Sequence, residues 1–359
     1  MGRPSRASVG ALAVIAAALA SPSVVGQTLT PTPRVVHPPS LAQQNPTSVG
    51  EDSPKRPRVA KAEPWTPPRT PWGDPDLQGV FTNNDESLIP FERPAQFDGR
   101  RLDDITDAEL AKLREARSDQ RIEADRNRAE LRSPLHWFEN HFPQNSRAWL
   151  VVDPQDGKVP PHTSEAQRRQ TARAAAARAS GRGPADSWED RSLYDRCITR
   201  GLPGSMMPAI YGSAYQILQG PGYVAIRYEM VHESRVIPLD GRPHPSPDVR
   251  LYMGDARGRW DGTTLVVETT NFTDKTSFRG STERLRMVER FKPVGPNTVE
   301  WATTFDDAAT WTTPWTFAMN LTNKDDSQQP FEYACHEGNY GLRNILTGAR
   351  AEEKADSAR

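Results

Sequence analysis

From Tyr215 to about Glu337 the chain repeats one pattern. Short runs place an apolar residue at every second position, and each run ends at Gly, Pro, Asn or Asp. "YQILQ", "YVAIRYEMVHE", "RVIPL", "RWDGTTLVVETTNF" with its internal Asp-Gly turn, "RLRMVERF", "TVEWATTF", "WTTPWTFAMNLT" and "FEYACHE" follow one another with no long helical period between them. A period of two puts alternate side chains on opposite faces of a strand. Consecutive strands joined by short turns pair antiparallel, so the pattern predicts a mainly β fold of about eight strands, a closed barrel or a sandwich. The expected architecture is an antiparallel β-barrel over 201–350, of lipocalin or calycin type, with a helical and irregular N-terminal extension.

The alternation also names the inward face. Trp311, Thr313, Trp315, Phe317, Met319 and Leu321 share one side of their run. Val299, Trp301 and Phe305 share one side of the run before it, and Leu265 and Val267 of an earlier one. An eight-stranded barrel is just wide enough to be filled by such side chains or to hold one small ligand. Aromatic linings with a few placed polar groups are usual in ligand sites. Tyr228, Trp301 and Trp315, with Arg235 and the loop residue His244, are therefore the candidate contacts for a small, largely apolar molecule.

Against that apolar face three polar residues stand out. If each run is an unbroken strand, His232 continues the face Val224, Ile226, Tyr228, Met230. Glu289 lies between Met287 and Phe291, and Glu337 continues Phe331, Tyr333, Cys335. A buried carboxylate without a partner costs several kcal/mol or shifts its pKa upward. A histidine with one or two such acids suits general acid–base chemistry, which makes His232, Glu289 and Glu337 candidate catalytic residues of a lyase, isomerase or hydrolase. The plainer expectation is that Glu289 pairs with Arg227 or Arg235 and that His232 sits at a strand end. Glu229, His232, Glu233, His336 and Glu337 include metal donors, but at no diagnostic spacing. His136 and His141, five apart, do not share a helical face. No metal or cofactor is assigned. No nucleophile elbow, P-loop, dinucleotide fingerprint or C-x-x-C is present, and Ser205 in "GLPGSMMP" has no base near it in sequence.

The N-terminal part reads differently. Residues 1–26 carry Arg3 and Arg6 ahead of an apolar stretch from Val9 to Ala20, with a small-x-small cleavage site at Ala18-Leu19-Ala20 or a second between Val24 and Gln27, the form of an export signal. The mature protein is then expected to be periplasmic or secreted, without a membrane span. In an oxidising compartment two cysteines pair more often than not. Bridging Cys197 and Cys335 closes a loop of 335 − 197 = 138 positions, worth roughly 4–5 kcal/mol in the chain-entropy account. Residues 27–70 are too rich in proline for helix or interior strand and read as a disordered linker. Residues 71–200 read as a wrapping region with two helices, one opened by a Thr106/Glu109 capping box and one beginning near Ser164. Residues 351–359 read as a disordered tail. A net charge of −1 argues against a nucleic-acid partner. Nothing in the sequence specifies an oligomeric state.

The phrases "TPWGDPDLQGVF", "RCITRGLP", "RVIPLDGRPH", "RGRWDGTTLVVETTNFTDKTSFRGS" and "FEYACHEGNYGLRNILTGAR" together resemble an uncharacterised family of exported bacterial proteins, usually described as hypothetical or as domains of unknown function. The resemblance runs from about Pro71 to Arg350. It implies an exported protein with a β-rich, lipocalin-like C-terminal half and assigns no reaction. Both cysteines fall within its motifs, which suits a bridge. A cell-envelope interaction protein is the third functional expectation beside the ligand carrier and the enzyme.

Overall fold

Ten strands, counted among the described residues, form one antiparallel sheet in the computed structural model. The structure describes residues 65–129, 143–209, 213–323 and 330–358. The export signal, the linker up to residue 64, His136 and His141 lie outside the described residues.

The predicted runs account for most of the sheet. β3 (Ala214–Gly220), β4 (Tyr223–Tyr228) and β5 (Ser234–Pro238) make one meander. β6 (Asp255–Asp261), β7 (Thr264–Thr270), β8 (Arg286–Gly295), β9 (Thr298–Asp306) and β10 (Trp315–Thr322) make a second. Gly262, at φ 61°, and Thr263 make the two-residue β6–β7 turn, with Asp261 still paired to Thr264; the turn expected at Asp-Gly lies one residue further on, with the glycine in its first position. β1 (Gly79–Thr82) lies between β3 and β10 and joins the meanders, and β2 (Val151–Asp153) borders β10 on the same side. These two strands come from the stretch expected only to wrap the sheet.

The sheet curls but does not close into a barrel. Its edges are β5 and β6, and no ladder joins them among the described residues. They meet through side chains instead. A Cβ on Gly258 of β6 would lie 2.6 Å from Leu239 Cδ2 and 2.8 Å from Ile237 Cγ2, so the two apolar tips occupy the place of a side chain there. Edges covered in this way are protected without hydrogen bonds. The lipocalin-like closure expected from the strand count is corrected to an open, curled sheet.

Its inner face is a solid core. Trp301, Trp315, Phe291, Phe305, Phe317, Met287 and Tyr228 are each fully buried. Phe305 stacks on Trp315 at 4.5 Å between ring centroids and on Phe278 at 5.1 Å, while Trp301 meets Phe317 edge-on at 5.2 Å. Leu77, Phe81, Ile89, Leu150 and Val151 from the N-terminal region complete the same cluster. Each large apolar side chain so buried contributes roughly 1.5–3 kcal/mol.

Three helices lie outside this core. α1 (Asp107–Ala129) opens with the predicted box: Thr106 N donates to Glu109 Oε2 at 3.0 Å, and Glu109 N to Thr106 Oγ1 at 3.3 Å. Its narrow apolar stripe rests through Leu113 on a satellite cluster of Phe97, Ala148 and Trp149. α2 (Ser164–Ala179) begins where it was expected and is capped by the Thr163 hydroxyl, which accepts from Ala166 N. α3 (Tyr340–Ser357) carries helix past residue 350, where a disordered tail was expected. None of the described helices is long and apolar enough to cross a membrane.

Candidate functional site

Two of the three candidate catalytic residues do not lie on the inner face. The run "YVAIRYEMVHE" is broken after Tyr228. Glu229–Glu233 form a tight turn in which His232 N donates to Glu229 O at 3.0 Å and Tyr228 N to Glu233 O at 2.8 Å. Val231 (φ 63°) and His232 (φ 42°) both occupy the left-handed region. That region costs an L-residue roughly 1–2 kcal/mol and is least suited to a β-branched one. "FEYACHE" is not a strand, and Glu337 is exposed. The parity argument placing His232 and Glu337 inward is thus corrected: a turn ends the first run, and no ladder forms on the second.

Glu289 is where parity put it, on β8 and fully buried, but it is engaged. Arg235, reaching from β5, donates through Nη1 to Oε2 at 2.6 Å and through Nη2 to Oε1 at 2.8 Å. Trp301 Nε1 donates to Oε1 at 3.0 Å. Burial opposes the Arg235 charge, yet the facing carboxylate outweighs it and holds the guanidinium pKa above its ordinary value. Burial pushes the Tyr228 phenol up as well. The pair links one edge strand to the far side of the sheet, and Arg235 Nε and Thr303 Oγ1 beside it have no hydrogen-bond partner. This is the plainer expectation for Glu289, with Arg235 as the partner. It removes Arg235 from the ligand contacts, and Tyr228, Trp301 and Trp315 are interior packing.

His244 is held on the outer side of β6 and β7. Its Nδ1 is 2.7 Å from Asp255 Oδ1 and its Nε2 3.5 Å from Glu268 Oε1; Arg257 and Arg286 in turn hold those carboxylates. Asp240 and Arg242 pair with each other, and the Arg242 guanidinium holds the Asp240 carboxyl down to about 2.

What the fold does bring together is a rim around the β4–β5 turn. Cys197 and Cys335 are bonded, with Cα atoms 5.5 Å apart. The bridge draws residues 333–339 against the turn. His232 Nδ1 lies 2.9 Å from the Tyr333 carbonyl oxygen, which only accepts, so Nδ1 carries the proton and Nε2 of the neutral ring carries the lone pair. His336 lies beside it, ring centroids 5.6 Å apart and planes 55° inclined. Behind them Glu233 Oε2 accepts from Thr199 Oγ1 at 2.8 Å and from Ser205 Oγ at 3.5 Å, and burial raises the Glu233 pKa. Asn339 caps α3 through its Oδ1 and donates through Nδ2 to Asp195 O at 2.9 Å. Cys197 is itself left-handed, at φ 56°. Backbone strain of this kind persists only where the surroundings impose it, and it clusters at working sites.

Thr199 and the Glu233–Ser205 contact carried no sequence signal, because they join segments about thirty residues apart through a half-buried carboxylate. Among the described residues no three His, Cys, Asp or Glu are grouped to hold a metal. A cleft of about 520 Å³ lies elsewhere, between Arg101, Asp107 and Leu110 on one side and Arg147, Trp149 and Glu300 on the other. None of the candidate residues lines it. No protein-family model matches the chain, and neither does any curated protein or solved structure.

Proposed function

We propose that this chain is an exported binding protein whose working surface is the disulfide-pinned rim at the β4–β5 turn. On this reading the packed inner face of the sheet is structural. The observation that carries the reading is the meeting of His232 and His336, 104 positions apart, at 5.6 Å on a strained turn held by the Cys197–Cys335 bridge. A bridge between distant segments suits an oxidising compartment. The resemblance of "RCITRGLP" and "FEYACHEGNYGL" to exported bacterial proteins agrees with a periplasmic or secreted place. A carrier of an apolar molecule inside the sheet finds less support, because Tyr228, Trp301 and Trp315 are fully enclosed by other side chains. Interaction with another component of the cell envelope is compatible with a rim of this kind.

The test is native mass spectrometry of the exported protein, wild type beside His232→Ala and His336→Ala. The account expects the wild type to retain a bound species that both variants lose. A species held equally by all three would overturn it.

A second reading, an acid–base enzyme, rests on the Nδ1 contact of His232 to Tyr333 O, which leaves Nε2 as a base of fixed orientation. Glu289, bound to Arg235, and Glu337, exposed, are poor partners for it; Glu233, with its raised pKa, is the acid on hand.

A further inference from the structure

We propose that His232 and His336 form a two-imidazole site for a borderline transition-metal ion, Zn(II) or Cu(II). The proposal rests on the rim reading above and names its ligand class. Two imidazoles bound at about 2.0–2.1 Å to one tetrahedral ion have ring centroids roughly 5–6 Å apart, and the observed separation is 5.6 Å. The inclined planes, at 55°, suit convergence on one point better than stacking would.

Three features prepare the pair. The Tyr333 carbonyl orients the His232 ring from outside the site and frees Nε2, the arrangement in which a ligating histidine usually stands. The disulfide fixes Cys335, the neighbour of His336, so the two rings need not be gathered when an ion arrives. The left-handed turn at Val231 and His232 directs the histidine away from the inner face, to a half-buried position beside the exposed His336. An ion therefore reaches the pair from solvent, and water or a donor from a bound partner completes its coordination. Imidazole favours zinc, copper and nickel, whereas magnesium and calcium favour oxygen donors.

The experiment is calorimetric titration of the chelator-treated, disulfide-intact protein with zinc chloride, copper(II) chloride and magnesium chloride. His232→Ala, His336→Ala and His244→Ala are titrated in parallel. The proposal expects one equivalent of zinc or copper, no uptake of magnesium, and affinity at least tenfold weaker in each of His232→Ala and His336→Ala; loss of an outer contact alone costs a metal site ~10–100-fold. His244→Ala binds as wild type does. The Cu(II) electron paramagnetic resonance spectrum should show coupling to two nitrogens that each rim variant reduces, a readout independent of folding stability. No uptake by the wild type, or unchanged uptake in both rim variants, overturns the metal site. A non-metal species retained by the wild type and lost in both variants would overturn the metal while leaving the rim reading intact. A species indifferent to both variants would instead remove the rim.

Discussion

Glu86 takes a carboxylate into a buried position, where Ser146 N and Ser146 Oγ donate to it at 2.9 and 2.6 Å. Burial raises its pKa, and the Ser146 hydrogen bonds and Arg147 only partly offset this. The folded state thus holds the proton more tightly than the unfolded chain. The stability due to this group is fully present below the ordinary carboxylate range and is lost as pH rises through the raised value, by up to ~1.4 kcal/mol per pH unit. Glu86→Gln imitates the protonated form. Urea unfolding at several pH values should find the wild type weakening across that window relative to the variant; parallel curves would contradict the assignment. Single residues differed in how legible they were. Glu289 was placed correctly because β8 is regular from Arg286 to Phe291, so parity holds. His232 was misplaced because the left-handed turn begins at Val231, a β-branched residue that gives no warning of one.

Among the elements, the strands were legible wherever neighbours pair on both sides, as in β7, β8 and β9. "FEYACHE" alternates as well, but alternation makes a strand only when a ladder partner exists. Here the disulfide holds the segment instead, and Phe331 stays 80% exposed. β1, four residues long, gave too little pattern to be read as the joint between the two meanders. α3 was missed whole: residues 340–350 were assigned to the barrel and 351–359 to a tail, because the composition of its second half is that of a solvated tail. The helix has no buried residue; Leu342 and Leu346 are half-buried, and Arg350 donates to Asp186 O at 2.8 Å and Ala185 O at 3.1 Å. Ending the chain after Leu342 should therefore change unfolding free energy by no more than about 0.5–1 kcal/mol, the scale of surface changes. A loss of several kcal/mol in urea unfolding would mean that α3 is part of the core.

Over the whole molecule, mainly β architecture followed from the period of two, but closure did not. At the last two edges the side chains of Ile237 and Leu239 fill the space beside Gly258, a meeting of residues that no local pattern encodes. The same holds for the interior. The aromatic face was readable, while its being filled depends on how Phe91, Phe278 and the rings of β9 and β10 interlock. Within this core the Arg235–Glu289 pair ties β5 to β8. A double-mutant cycle tests this most directly. Arg235→Met or Glu289→Leu alone leaves one buried charge uncompensated and should cost about 3–5 kcal/mol in urea unfolding. The double variant, which also removes the unpartnered Arg235 Nε, should recover most of that loss. Single variants as stable as wild type, but altered in what the protein retains on native mass spectrometry, would show the interior to be a binding site and not a core.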